Sequence, residues 1–285
     1  MMKKIIVTLL SAVLFLSACG SNEQKEDKKN VTIGITSNDS VAWKKVQELA
    51  KEEGINVELK AFSDYNVPNT ALNDGDIDMN AFQHFAFLNE FEKAHEGVEI
   101  KPIRTTVLAP LGIYSEKIED IKDVKDGAKV IIPNDVSNQA RALKLLEKVG
   151  LLKLNEDFGL TGSPKDIKEN KKNLEIKAVD AQQTARALSD VDLSIINNGV
   201  AVKAGLNPKD DPIFLEDSEG EATKPYINFI AVKESEKDNE VYNKVADLYH
   251  SKEAQDALKE DTKDGEIIVD LDEDEIEAIE KELAK

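Results

Sequence analysis

FSDYNVPNTALNDGDIDMNAFQHFAFLNEF, residues 62–91, places five Phe, one Tyr and one His within thirty positions of a chain that is only 5% aromatic. A proline, a glycine and paired acids interrupt the stretch, which indicates turns. The segment 76–82 (DIDMNAF) predicts a short buried strand, and 83–94 (QHFAFLNEFEKA) has the apolar spacing of a helix. Phe82 and His84 therefore fall where a strand ends and a helix begins, which is where ligands bind in open α/β sheets. Ordinary core packing is the alternative interpretation of the same aromatic side chains.

The residues before this stretch predict a βαβ unit. Strands are expected at 31–36 (VTIGIT) and 55–62 (INVELKAF), and between them 41–53 has the pattern of an amphipathic helix closed by Gly54. A helix that connects two strands in this way makes them parallel neighbours in one sheet. The globular part of the chain therefore begins as an α/β protein.

The same alternation of strand and helix returns in the middle of the chain. Strands are expected at 129–133, 174–180 and 193–197, each followed by a helical pattern, and 225–232 (PYINFIAV) predicts another buried strand. The 285-residue chain is long enough for one large domain or for two lobes of about 100–150 residues each. The segment 107–114 (VLAPLGIY) is suited to cross between two such lobes.

The N-terminus has the features of an export signal. Lys3 and Lys4 precede an apolar run that is shorter than the roughly 20 residues a transmembrane helix needs, and small residues follow the run. The ending Leu-Ser-Ala-Cys resembles the lipobox of bacterial lipoproteins, which implies that 1–18 is a signal peptide and that Cys19 becomes a lipid-modified N-terminus. The polar segment 19–30 then predicts a flexible tether. An ordinary signal peptide with an incidental cysteine is the alternative; Cys19 is the only cysteine, so no disulfide is expected.

Charge and motif content argue against several other classes of protein. A formal net charge of −19 argues against nucleic acid as a partner. The motifs Gly-x-Ser-x-Gly and His-Glu-x-x-His do not occur, and His84, His95 and His250 are the only histidines, so an exported enzyme is a remote alternative. The acidic stretch DGDIDMN lacks the glycine and the final glutamate that a calcium loop requires. We therefore predict no catalytic residues, no metal site and no cofactor.

Polar residues near the predicted strand ends are candidates for binding a small ligand. The segment 134–146 (NDVSNQARALKLL) places Ser137 as an N-cap, with the first-turn N–H groups forming an anion site. Arg141 follows, and its guanidinium matches a carboxylate better than a lysine would; an ordinary exposed helix arginine is the alternative. Asn197 and Asn228 follow or interrupt apolar runs, where a buried amide needs either a backbone partner or a ligand.

Four blocks of the sequence, in the same order, closely resemble the methionine-binding lipoproteins of the MetQ/NlpA family, which serve ABC importers. The blocks are DYNVPNTALNDGDIDMNAFQH, PNDVSNQARALKLL, DAQQTARALSDVDLSIIN and PYINFIAV, and the resemblance covers nearly the whole mature chain. It implies an α/β, two-lobed periplasmic-binding-protein-like fold with a ligand cleft between the lobes. The first lobe would comprise 31–108 and 228–285, and the second lobe 109–227.

The resemblance also implies a binding site for methionine. Tyr65, Phe82 and His84 would enclose its unbranched side chain, because sulfur–aromatic contacts of about 0.3–1.5 kcal/mol each favour a thioether. Polar residues of the three later blocks would hold the other end of the ligand: Asn138, Arg141, Asn197 and Asn228. Closure of the lobes would bury the ligand for delivery, with no chemistry done on it.

The expected partners and location follow from the same resemblance. The partners would be the ligand, a membrane permease, the ATPase of that permease, and the membrane through the lipid anchor. We expect a monomer at the extracytoplasmic face of the cell membrane, and the lysine-rich tether suits a Gram-positive surface.

The chain departs from the family pattern at a few positions. The family usually has Pro and Tyr where this chain has Ala86 and Phe87, and usually an aromatic residue near Asn197 where this chain has Val200. A smaller residue at that place would open the polar end of the pocket. A methionine-containing dipeptide such as glycyl-methionine is therefore an alternative ligand, as is a related amino acid.

Overall fold

Two lobes, each built on its own β-sheet with flanking helices, make up the computed structural model, which describes residues 29–37 and 40–285. The predicted signal peptide, Cys19 and nearly all of the predicted tether lie outside the described residues. The predicted two-lobed α/β fold is confirmed in the described part. None of the helices there is long and apolar enough to cross a membrane.

The helices and strands follow one another along the chain in an alternating order. They are β1 (Asn30–Ile35), α1 (Val41–Glu52), β2 (Asn56–Ala61), α2 (Val67–Asp74), β3 (Met79–Asn80), α3 (Phe85–Ala94), β4 (Ile100–Leu108), β5 (Gly112–Tyr114), β6 (Lys129–Pro133), α4 (Val136–Lys148), β7 (Lys153–Leu154), β8 (Ile167–Glu169), β9 (Glu175–Val179), α5 (Ala181–Thr184), β10 (Leu193–Ile196), α6 (Asn198–Lys203), β11 (Phe214–Leu215), β12 (Ile227–Lys233), α7 (Glu240–Tyr249), α8 (Lys252–Thr262), β13 (Ile267–Ile268) and α9 (Glu273–Leu283). Short 3-10 turns lie at 121–123, 164–166, 188–190, 221–226 and 234–236.

The two sheets contain different parts of the chain. The sheet of the first lobe has the strand order β13-β4-β12-β3-β1-β2, and that of the second lobe has the order β11-β5-β10-β6-β9. β1 runs parallel to β2, as the βαβ pattern predicts, and it also runs parallel to β3. β12 is antiparallel to β3 and β4. In the second lobe, β6 runs parallel to β9 and β10.

Each lobe has its own hydrophobic core. In the first lobe, α1 buries Trp43, Val46 and Ala50 on one face against the sheet, as its amphipathic spacing predicts. In the second lobe, α4 buries Leu143 and Leu146 against β6. Full burial of one such aliphatic side chain stabilises a fold by about 1.5–3 kcal/mol. Because the two groups of buried side chains are separate, each lobe is stabilised by its own core.

The chain crosses between the sheets twice. It leaves the sheet of the first lobe at Leu108 and enters the other at Gly112, and it leaves β11 at Leu215 to return at Ile227. Ile227 pairs directly with Leu108, so the two crossings lie side by side where they join the first lobe. The predicted boundaries of the lobes, 31–108 with 228–285 and 109–227, stay a prediction.

Two predicted elements are shorter than expected. Of the strand predicted at 76–82, only Met79–Asn80 forms β3, although the backbone N–H groups of Asp78 and Ala81 also donate to Thr32 O and Gly34 O of β1, each at 2.9 Å. The return bond from the N–H of Thr32 goes to the carboxylate of Asp78, at 2.8 Å. The helical pattern after 174–180 gives a helix of four residues, α5. Its last carbonyl, that of Thr184, accepts the Ser194 hydroxyl at 2.8 Å.

Candidate ligand-binding site

A cavity of about 300 Å³ lies between the two lobes. Its walls include side chains from the sheet of the first lobe, from the first crossing and from the N-terminal turns of α1, α4 and α6. The structure brings together in this cavity all the residues predicted for the site: Tyr65, Phe82, His84, Asn138, Arg141, Asn197 and Asn228. Their roles in binding stay predictions. Among the described residues, no group of three or more His, Cys, Asp or Glu side chains could hold a metal ion.

Three aromatic rings form one wall of the cavity. The ring centroids of Tyr65 and Phe82 are 6.0 Å apart, and Phe87 meets them edge-on at 6.2 Å and 5.6 Å. Edge-to-face pairs at such distances hold one another in place, so the wall is preformed. Phe87 was noted in the sequence only as a departure from the family; its place one helical turn after His84 was the signal that could have added it to the predicted site.

His84 has a structural role at the start of α3 as well as a place in the cavity. Its Nδ1 accepts the backbone N–H of Phe87 at 3.1 Å, so the ring proton must sit on Nε2, which donates to Asn138 Oδ1 at 3.3 Å. Burial, and then the nearby charge of Arg141, lowers the pKa of His84 to about 3. The imidazole is therefore neutral at physiological pH and acts as a fixed donor.

The orientation of His84 fixes the amide groups of the second lobe. Asn138 Oδ1, which accepts from His84, also accepts Asn197 Nδ2 at 2.9 Å, while Asn138 Nδ2 donates to Asp135 Oδ1 at 2.9 Å. Asn197 therefore presents its Oδ1 elsewhere, and this buried atom has no hydrogen-bond partner among the described residues. An unpaired buried acceptor is costly, so this amide oxygen is an exception among the buried polar groups of the protein.

The N-terminus of α4 differs from the prediction. Asp135, and not Ser137, is the N-cap, and its carboxylate accepts the N–H of Asn138 at 2.9 Å. The Ser137 hydroxyl lies inside the first turn and donates to the same carboxylate at 3.2 Å. The prediction of Ser137 as the cap is therefore wrong, and a carboxylate at this helix end disfavours the predicted anion site.

Arg141 is held in the cavity wall by three neighbours. It is only 3% exposed, its Nε donates to both carboxylate oxygens of Glu216 at 2.9 and 3.1 Å, and its Nη2 donates to Ala109 O at 3.0 Å. The guanidinium also lies 4.3 Å from the ring centroid of Tyr226. Nη1 forms no hydrogen bond to any residue that the structure describes, so it is the part of the fork left for a ligand.

Asn228, in β12, lines the cavity and pairs with the backbone of His84. It forms an isolated β-bridge with His84, and its Nδ2 donates to Tyr226 O over a long 3.3 Å. The backbone partner predicted as one alternative for this amide is therefore present but weak. Its half-buried side chain lines the cavity, as the other alternative predicts.

A cluster of buried amides below the aromatic wall was missed in the sequence. Asn69 Nδ2 donates to Gln83 Oε1 at 2.7 Å, and Asn69 Oδ1 accepts Gln83 Nε2 at 2.7 Å and Asn80 Nδ2 at 2.9 Å. All three residues are at most 2% exposed. The cluster ties α2 and β3 to Gln83, which sits between Phe82 and His84 and therefore positions both.

Val200 does not line the cavity, contrary to the prediction. It is 3% exposed and packs against Tyr114 and Ile196 inside the second lobe. Asn198 and Val202, two positions away on either side in α6, do line the cavity, and two helical positions turn a side chain through about 200°. The expectation that Val200 opens the polar end of the pocket is therefore wrong, and the argument for a dipeptide that rested on it falls.

Comparison with known proteins identifies relatives that match most of the chain. The profile of the NlpA lipoprotein family matches residues 31–269. The probable D-methionine-binding lipoprotein MetQ of Haemophilus influenzae is 37% identical over 269 residues, covering 91% of this chain and 95% of the relative.

Solved structures agree with this match. Protein PG110 from Staphylococcus aureus is 68% identical, with a TM-score of 0.87 over 89% of this chain and 100% of that one. A nutrient binding protein from Burkholderia cenocepacia, solved bound to methionine, is 40% identical, with a TM-score of 0.79 over 84% of this chain and 99% of that one. The chain belongs to the NlpA lipoprotein family.

Proposed function

We propose that this protein is the extracytoplasmic solute-binding lipoprotein of an ABC importer and that it captures methionine in the cavity between its lobes. One observation carries the proposal: the aromatic wall and the guanidinium of Arg141 line the same cavity, and Nη1 of that guanidinium has no hydrogen-bond partner among the described residues. The Burkholderia cenocepacia relative bound to methionine supports the choice of ligand.

The two ends of methionine match two parts of the cavity. The carboxylate binds Nη1 of Arg141, because a guanidinium in a buried site forms strong, oriented hydrogen bonds with carboxylates. The thioether lies against Tyr65, Phe82 and Phe87, whose rings favour sulfur by about 0.3–1.5 kcal/mol per contact. His84, Asn138 and the amides of Asn197 and Asn228 hold the groups around the α-carbon: this assignment is supported by their shared place in the cavity wall.

Capture works by closure of the two lobes around the ligand. The chain crosses between them at 109–111 and 216–226, and these short segments are where a hinge would move. The closed protein then presents methionine to a membrane permease whose ATPase drives uptake. On this proposal the protein acts as a monomer. It releases its ligand unchanged, so it does not act as an enzyme.

Identification of the natural ligand tests this function. The protein is purified, studied by native mass spectrometry, and then denatured so that any bound molecule is released and its mass measured. We expect a mass that matches methionine; a methionine dipeptide would keep the transport function and change the ligand. Protein that carries neither and that ignores both in calorimetry would contradict the proposal.

The lipid anchor is tested separately with the Cys19→Ala protein. Cys19 would carry at least two acyl chains, because a single chain gives only reversible membrane binding. We expect the variant to leave the membrane fraction for the soluble or secreted fraction, as measured by immunoblot after fractionation. Ser17→Thr, two positions before the cysteine, is the matched control that should stay at the membrane. Retention of the Cys19→Ala protein would contradict the lipobox assignment; placement at a Gram-positive surface stays a prediction.

A further inference from the structure

Segment 198–208 of the second lobe, which comprises α6 and the loop after it, touches the first lobe at both of its ends. At its start, Asn198 Nδ2 donates to the carbonyl oxygen of Gly265 at 2.8 Å. At its end, the ring of Pro208 packs against the same glycine. Gly265 lies in the loop between α8 and β13 of the first lobe. The two contacts therefore join the lobes at one place beside the cavity, and the proposed binding of methionine uses neither of them.

Asn198 stands at the edge of the cavity, but its amide group serves the other lobe. Because a carbonyl oxygen can only accept, the atom that bonds to Gly265 O is Nδ2, and Oδ1 is the second amide atom. Oδ1 is buried and has no hydrogen-bond partner in the described part of the chain, and the whole residue is 2% exposed. The amide therefore offers neither of its atoms to a ligand, and its one hydrogen bond runs between the lobes.

Gly265 allows the two lobes to come this close. Its φ angle is not in the left-handed region, so its backbone conformation does not require glycine. A methyl group at this position would lie 2.5 Å from Pro208 Cγ in the second lobe and 2.8 Å from Thr262 O in the first. Two carbon atoms in contact are normally about 3.5–4.0 Å apart, so the methyl group would collide with the proline ring. Pro208 is itself buried, which leaves its ring no room to move away.

We propose that Asn198, Pro208 and Gly265 form a clasp that holds the two lobes together around the ligand and so sets the affinity for it. The inference rests on the proposed function and deepens it, because closure of the lobes is how that function retains methionine. Pro208 and Gly265 do not line the cavity, and Asn198 has no amide atom free for a ligand. All three are therefore positioning residues, which act on the ligand through the distance between the lobes.

The clasp raises affinity through the equilibrium between open and closed lobes. In the open protein, water hydrates the carbonyl oxygen of Gly265, and in the closed protein Asn198 Nδ2 takes the place of that water. Without this donor, closure buries a carbonyl oxygen that has no partner, which moves the equilibrium about 5- to 100-fold toward the open form. For a protein that is mainly open when free, the Kd of a ligand that binds the closed form rises by the same factor.

Calorimetric titration of L-methionine into the full-length lipoprotein in detergent tests the clasp. Asn198→Ala removes the donor between the lobes. Asn243→Ala is the matched control, because Asn243 Nδ2 donates to the carbonyl oxygens of Lys237 at 2.7 Å and of Asn239 at 3.0 Å, all within the first lobe. Thermal unfolding of the ligand-free proteins shows which variants are folded and separates a loss of stability from a loss of affinity.

A second pair of variants tests the approach of the lobes at Gly265. Gly265→Ala places a methyl group against Pro208 and against Thr262 O. Gly265→Ala combined with Pro208→Gly removes the ring in the second lobe and leaves Thr262 unchanged. Recovery of affinity in the double variant would identify the contact between the lobes as the cause, because strain within the first lobe is present in both variants.

The expected result is a Kd raised about 5- to 100-fold by Asn198→Ala and by Gly265→Ala, an unchanged Kd in Asn243→Ala, and recovery by at least about 3-fold when Pro208→Gly is added to Gly265→Ala. Wild-type affinity in Asn198→Ala overturns the clasp, as do equal losses in Asn198→Ala and Asn243→Ala or a double variant without recovery. Should Gly265→Ala fail to fold, the comparison of Asn198→Ala with Asn243→Ala decides alone. Wild-type protein that binds no methionine instead overturns the proposed function.

Discussion

The Arg141→Ala protein is expected to bind methionine roughly 30- to 5,000-fold more weakly than the wild-type protein, a loss of about 2–5 kcal/mol. The loss is large because the carboxylate of the ligand would be buried with its charged partner removed. Arg141 is 3% exposed, and Glu216 and Ala109 hold its Nε and Nη2, so the fork is in position before the ligand arrives. Calorimetric titration of both proteins measures the difference.

The ion pair between Arg141 and Glu216 provides the control for this experiment. Arg141→Ala also leaves Glu216 without its partner, so the free energy of unfolding should decrease as well. Glu216→Gln breaks the same ion pair but keeps the guanidinium, whose charge is then less neutralised and attracts a carboxylate at least as strongly. Affinity should therefore fall in Arg141→Ala and hold or rise in Glu216→Gln. A similar loss of affinity in both variants would mean that the ion pair itself, and not a direct contact between Arg141 and the ligand, sets the affinity.

Arg141 also touches both segments that cross between the lobes. Its bond to Ala109 reaches the first crossing, and its contacts with Glu216 and Tyr226 reach the second. A ligand on Nη1 therefore acts on a side chain that is packed against the two places where closure would bend the chain. On the proposed function, this arrangement would couple occupation of the site to the hinge through one residue.

Local signals in the sequence located most of the elements and the proposed site. The helix predicted at 41–53 is observed at Val41–Glu52, and the strand predicted at 129–133 is observed at the same positions, because apolar spacing and end signals are local. Tyr65 follows β2, and Phe82 and His84 follow β3; both strands run parallel to β1, so the three residues meet at the same edge of the sheet. The polar residues of the second lobe were added by the resemblance to a known family. Spacing alone did not decide whether these residues bind a ligand or serve only the fold.

Partners that are distant along the chain could not be read from the sequence. Glu216 is 75 positions from Arg141, and no local pattern joins them. Whether Asp135 or Ser137 caps α4 depends on the residue at which the helix begins. The two candidates differ by only two positions, which is within the uncertainty of a helix end that is located from sequence. Val200 was placed in the pocket by its closeness to Asn197 in sequence, whereas the turn of α6 points it into the core of the second lobe.

The Asn69→Ala protein is expected to lose about 2–6 kcal/mol of unfolding free energy. Asn69 is 0% exposed and makes three hydrogen bonds, and its removal leaves Gln83 Oε1 and Asn80 Nδ2 unpaired in the core at about 1–3 kcal/mol each. Chemical denaturation followed by circular dichroism measures the loss. Asn73→Ala, in the same helix but with a side chain that bonds only to exposed Asp74, should change stability by no more than about 0.5 kcal/mol. Equal denaturation midpoints for the two variants would contradict the role of the cluster.

A triple variant, with Asn69, Asn80 and Gln83 replaced by Leu, Leu and Met, distinguishes two roles of the amide cluster. One role is to stabilise the fold, and the other is to position Phe82 and His84. Replacing all members of a buried polar network with apolar groups of similar shape is often nearly neutral, because no group is left unpaired. The triple variant should therefore unfold closer to wild type than Asn69→Ala does. It should still bind methionine more weakly, because Gln83 fixes the backbone between Phe82 and His84 through directional bonds that apolar contacts do not reproduce. Wild-type affinity in the triple variant would show instead that packing alone sets the position of the aromatic wall.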